Sequence, residues 1–146
     1  PDAATVSFGV ELTKGGNLTH RATGAQVLGA AKSRAAEVCP ALSTLIQTKK
    51  YPWNEGMRAM AALDGACKAH YDEVVTVVLA KMAEGDGYDQ GFGVNDATYL
   101  TRMLEDPGFT PEQRAKLLAP AEKLHAAATK DHVKTGLASL VAQLKK

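Results

Sequence analysis

The chain has 146 residues, 45% of them hydrophobic and 23% charged, which suits one globular domain and excludes a disordered or collagen-like protein. Seventeen basic residues against sixteen acidic ones leave a formal charge of +1, without the basic stripe that phosphate neutralisation asks of a nucleic-acid binder. No apolar run approaches the roughly 20 residues that span a bilayer, and aromatics make up only 5% while alanine and leucine abound, which favours packed helices over a β-sandwich.

Residues 1–22 show no sustained helical period. Ser7 to Leu12 alternates somewhat, but Gly9 and Gly15-Gly16 weaken a strand, so an extended arm with room for a short first helix is expected. Pro1 to Phe8 also lacks the basic and apolar regions of a signal peptide, which leans the reading toward a cytoplasmic location and leaves a removed targeting segment open. Asn17-Leu18-Thr19 is a formal glycosylation sequon, a triplet common by chance.

The helical domain is expected over residues 23–146. Thr23-Gly24-Ala25-Gln26 has the form of a capping box, and Val27, Leu28, Ala31, Ala35 and Val38 then recur on one face. Pro40 lacks an amide donor and biases Cys39 away from the α region, which predicts a break there and a second helix carrying Leu42, Leu45 and Ile46. Asn54 is a candidate cap for a third helix with Met57, Met60, Leu63 and Cys67, and Asp72 for a fourth. The run Glu73–Leu79 is β-branched enough for a buried strand, but the helix formers from Ala80 to Glu84 favour helix.

Gly85 to Asn95 is the one long connection, and Asn95 is a candidate cap for a short helix with Tyr99, Leu100 and Met103. Thr110-Pro111-Glu112-Gln113 is a second capping box, with proline at the first helical position. Pro120 is expected to kink or split the helix that follows. Val133, Leu137, Leu140, Val141 and Leu144 give the last helix, Asp131 to Lys146, a clear apolar stripe. The fold expected is all-α, with six to seven helices in stacked antiparallel hairpins.

Two hairpins align. Shifted by 36 residues, Ala30, Val38, Leu42 and Ile46 fall on Ala66, Val74, Val78 and Met82. Stacked hairpins with this spacing resemble HEAT- and armadillo-type α-solenoids, in which each unit buries its faces only against its neighbours. The segment from Trp53 to Leu63 is similar to the repeats of VHS- and ENTH-like domains. A compact bundle would show the same small and aliphatic positions, and both architectures stay open.

Chemical motifs are weak. Gly85, Gly87, Gly91 and Gly93 suggest a phosphate loop, but Gln90 stands where a dinucleotide fingerprint needs glycine, and no Gly-Lys-Ser/Thr follows. Asp86, Asp89 and Asp96 do not have the spacing of a calcium loop. Cys67 and His70 share a helix face and offer a metal or nucleophile site, for which Cys39 is the attractive further ligand. Their plainer role is a small buried residue and a helix-terminal one. Free thiols are expected, with a Cys39–Cys67 disulfide as the alternative.

No cofactor or metal is expected. The leading functional expectation is a non-catalytic scaffold or adaptor that binds another protein or peptide. Its contact is placed in the glycine-rich loop at Tyr88 and Phe92, flanked by Asp86 and Asp89, or in a helix groove; the alternative for the two aromatics is a lid folded back on the core. The alternatives are an exported binder or immunity-type inhibitor with Cys39 and Cys67 oxidised, and a small enzyme or metal protein using Cys67 and His70.

Overall fold

The computed structural model describes residues 1–87 and 90–146, and every regular element among them is helical. Eight α-helices follow in order: α1 (Ala3–Lys14), α2 (Leu18–Gly29), α3 (Ala35–Gln47), α4 (Trp53–Ala62), α5 (Tyr71–Ala83), α6 (Val94–Met103), α7 (Pro111–Ala127) and α8 (Asp131–Leu144). Short 3-10 turns at Lys32–Arg34 and Lys68–His70 introduce α3 and α5. No helix among the described residues is long and apolar enough to cross a membrane.

The expected N-terminal arm is helical instead, and α1 is the helix beyond the six or seven expected. Asp2 caps it by accepting from the Thr5 amide at 2.8 Å, and Asn17 caps α2 by accepting from His20 at 3.0 Å. Gly9, one of the glycines that argue against a strand, is where α1 and α2 meet. A Cβ on Gly24 would stand 2.7 Å from the Gly9 carbonyl oxygen, so the backbones approach too closely for any side chain. Thr23 lies inside α2, and the capping box read there does not form.

Neither internal proline ends its helix. Pro40 sits within α3 and Pro120 within α7, each removing one intrahelical hydrogen bond. The carbonyls left without that donor belong to the exposed residues Ala36 and Lys116, where water can replace it. The corner expected at Cys39 lies earlier, at the 3-10 turn Lys32–Arg34. Glu73–Leu79 is helical within α5, with Val74, Val75, Val77 and Val78 buried. The Thr110–Gln113 capping box forms, with the Gln113 amide donating to Thr110 at 3.1 Å and the Thr110 amide donating to Gln113 at 2.9 Å. Asn54, Asp72 and Asn95 are not caps and fall in the first turns of α4, α5 and α6.

The helices pack in two rows. Helix α2 lies against α4, α4 against α6 and α6 against α8, while α1, α3, α5 and α7 form a second row in the same manner. Residues from the N-terminal ends of α4, α6 and α8 line one cavity, and residues from the C-terminal ends of α4 and α6 line another, so these helices point the same way. The core between the rows includes Leu28, Leu42, Met57, Met60, Val78, Leu100, Leu117 and Leu140, all fully buried. Each such side chain contributes roughly 1.5–3 kcal/mol of burial free energy.

The internal repeat has a physical register. The turn Lys32–Arg34 with α3 and the turn Lys68–His70 with α5 have the same lengths and lie 36 residues apart throughout. The next helix of that row, α7, begins 40 residues after α5.

Candidate functional site

The sequence-selected loop is an internal tether for part of its length. Glu84 accepts from the Gly91 amide at 3.0 Å and from Lys81 at 3.2 Å, and the Phe92 amide donates to the Gly85 carbonyl at 2.8 Å. These contacts hold the Glu84 carboxyl below its usual range, Lys81 contributing most and the Gly91 amide next. Gly85 and Gly91 adopt positive φ, which lets the chain fold back on α5. Phe92 is therefore a core residue, 1% exposed: of the two readings of this aromatic, exposed anchor or lid folded onto the core, the second is the one found. Asp86 is exposed and lines a small cavity with Asn54, Asp96, Lys130 and His132. Tyr88 and Asp89 lie outside the described residues.

Cys39 and Cys67 are joined by a disulfide, with Cα atoms 5.3 Å apart, in place of the expected free thiols. Both sulfurs are buried where the turn before α5 meets α3. Cys67 is thus not available as a thiolate ligand or nucleophile, and the metal or enzyme site with His70 is corrected. The His70 Nδ1 faces Glu73 at 2.8 Å.

A different region gathers polar groups. Between the C-terminal ends of α4 and α6 lies a cavity of about 590 Å³ whose walls include Arg58, Arg102, Tyr71, Asp64, Glu105 and Asp106. A volume of that size is in the range of ligand-binding clefts. Helix α4 ends in a left-handed reversal, Asp64 at φ 49° and Gly65 at φ 83°. The absence of a side chain on Gly65 admits Asp106, whose carboxylate would lie 2.7 Å from a Cβ built there.

Asp106 accepts from the Tyr71 hydroxyl at 2.7 Å and from the Gly108 amide at 3.0 Å. Tyr71 stacks on Phe109 with ring centroids 4.0 Å apart. Burial first, and then Asp106, push the Tyr71 hydroxyl well above its ordinary pKa, so it remains a donor.

On the opposite flank Arg58 is held by two neighbours on its helix row. Its Nη1 is 3.6 Å from Glu55, and its guanidinium lies 5.7 Å from the centre of the Tyr99 ring. The Tyr99 hydroxyl is raised above its usual pKa, by burial first and by Glu55 next. Arg102 reaches the same cavity from the last turn of α6 and makes no side-chain hydrogen bond or ion pair among the described residues.

Arg58 and Ala62 also line a second cavity, about 230 Å³, against Gln26, Gly29 and Ala30 of the α2 end. The two hollows form one track across α2, α4 and α6, with Arg58 as the ridge between them. A further groove of about 460 Å³ separates α1 from α3, but its polar groups are engaged locally. Thr13 donates to Val10, Thr44 to Pro40 and Thr48 to Leu45. Little there would select a ligand.

The sequence carried one unused signal for this site. Helices α4 and α6 have the same length and end in Leu63-Asp64 and Leu104-Glu105, each placing an acid just past a leucine cap. That Arg58 and Arg102 share a wall is a matter of packing alone. Comparison with known protein families, curated proteins and solved structures finds no match for this chain.

Proposed function

We propose that the chain is a non-catalytic protein-interaction module of the α-solenoid type, similar in plan to HEAT-like repeats, whose contact face is the row α2, α4, α6. The track over Arg58 carries this reading, because a row of helices pointing one way presents a continuous surface suited to an extended partner. Arginine and partly buried tyrosine, here Arg58, Arg102 and Tyr99, are the side chains that anchor protein interfaces. The contact moves from the glycine-rich loop to the helices.

The Cys39–Cys67 disulfide supports a second element, that the module works in an oxidising compartment, as an exported binder would. A photo-crosslinking residue in place of exposed Ala62, compared with one in place of exposed Ala36 on α3, tests the face. Partner crosslinks are expected from position 62 alone, and equal crosslinking from position 36 would remove the assignment. Thiol titration of the unfolded protein from its source should find no free thiol without reductant. Two free thiols would end the oxidising-compartment element.

A further inference from the structure

The charges around the larger cavity are sorted by position. Arg58 and Arg102 stand on α4 and α6, whereas Asp64, Glu105 and Asp106 follow the ends of those helices. The C-terminal ends of both helices open to the same side, where most of their carbonyls are already paired, Met60 with the Leu63 amide, Met103 with the Asp106 amide and Leu104 with Arg114 and Gln143, so the negative charge there is that of the Asp64, Glu105 and Asp106 carboxylates. One flank therefore favours a carboxylate and the other an ammonium or guanidinium group. The neighbouring hollow, lined by Gly29, Ala30 and Ala59, has no charge beyond Glu55 and Arg58.

The geometry points to an extended peptide of mixed charge as the ligand: small residues in the α2–α4 hollow, an acidic side chain between Arg58 and Arg102, and a basic side chain against Glu105 in the field of Asp64 and Asp106. Two interhelical spacings of about 8–10 Å are crossed by about five or six residues of extended chain at roughly 3.3 Å each. Arg102 and Glu105 are the residues that choose the order of charges, because both are exposed. Asp64 has a neighbour in Lys32 at 3.6 Å, and Asp106 is already bonded to Tyr71, so each contributes field rather than a new contact. The inference rests on the proposed contact face and adds the partner's chemistry to it.

The probes are fluorescein-labelled nine-residue peptides in an Ala/Ser background, carrying one Glu and one Lys three residues apart in either order, with an uncharged control. Anisotropy titration should show one order binding at least about tenfold more tightly than the other and than the control, as charge-assisted hydrogen bonds would give. Arg102→Glu should abolish that preference, and Arg102→Glu/Glu105→Arg should favour the opposite order. Circular dichroism confirms that each variant stays folded.

Equal binding of both orders and the control, or an unchanged preference in Arg102→Glu, overturns the mixed-charge ligand. Peptide binding that is indifferent to charge but lost in Ala62→Trp overturns it while leaving the contact face standing. Charge-selective binding that survives Ala62→Trp unaltered places the peptide elsewhere and removes both.

Discussion

Helices α3 and α5 have the same length and the same 3-10 entrance, yet they do different work in the stack. Where the two match, they match in size: Val38 and Val74, Leu42 and Val78, and Ile46 and Met82 are all buried. Where they differ, the α5 unit reaches out. Cys67 replaces buried Ala31 and bonds back to α3; Tyr71 replaces Ala35 and stacks on Phe109; Lys81 replaces Leu45. That lysine is 4% exposed, donates to the Lys49 carbonyl at 3.2 Å and lies 5.9 Å from the centre of the Trp53 ring. The shared positions set the shape of a unit, and the departures join it to its neighbours.

The largest effect should come from a shared position. Val78→Asp puts a carboxylate where the exposed area is zero and should cost roughly 4 kcal/mol or more, unfolding the protein at room temperature by circular dichroism. Leu42→Asp, its counterpart, should be as severe; a native-like melt in either variant would break the equivalence of the two helices.

Removing a joining residue should cost less. Cys39→Ala/Cys67→Ala opens a loop with a sequence separation of 28, and denaturant titration should show a loss of about 3–4 kcal/mol with the helices retained. Lys81→Ala should cost about 2–3 kcal/mol, since it removes both a buried stem and the ammonium that serves Lys49 and Glu84. Lys81→Leu, which restores the residue found in α3, should recover at least half of that loss in the same titration. If it recovers nothing, the ammonium alone holds the joint.

The smallest effect concerns α6. Burial, the largest influence, raises the Asp96 carboxyl above its usual pKa, against hydrogen bonds from the Gly93 amide and Asn54. A raised folded-state value means that the ionised form costs stability, the cost growing as pH rises from the ordinary aspartate range through that value. Asp96→Asn keeps an acceptor for Gly93 and should melt higher than the wild type near pH 7, by no more than about 2–4 °C. The gap should close as the pH falls into the ordinary aspartate range. A gap that widens on acidification would reverse the assigned sign.

Much of the helical layout was legible in the chain. Apolar spacing located seven of the eight helices, and the Thr110–Gln113 box marked the start of α7. Helix α1 was allowed only as a short helix in an extended arm because glycines were read as breakers, when Gly9 serves instead as the contact surface for α2. The break assigned to Pro40 was misplaced, and Pro120 does not split α7, because a helix tolerates one lost hydrogen bond when the orphaned carbonyl faces water. The candidate site was hardly legible: Phe92 and Asp86 were singled out, while Arg58, Arg102 and Tyr99 were not.

The sequence by itself determined the helical class and the apolar faces, because these depend on residues three or four apart along one helix. Only the tertiary structure decided that Cys39 meets Cys67, that Lys81 and Phe92 turn inward, and that Arg58 and Arg102 share a wall. Those relations join different helices, and they follow from how two rows of side chains interlock, which no local period records.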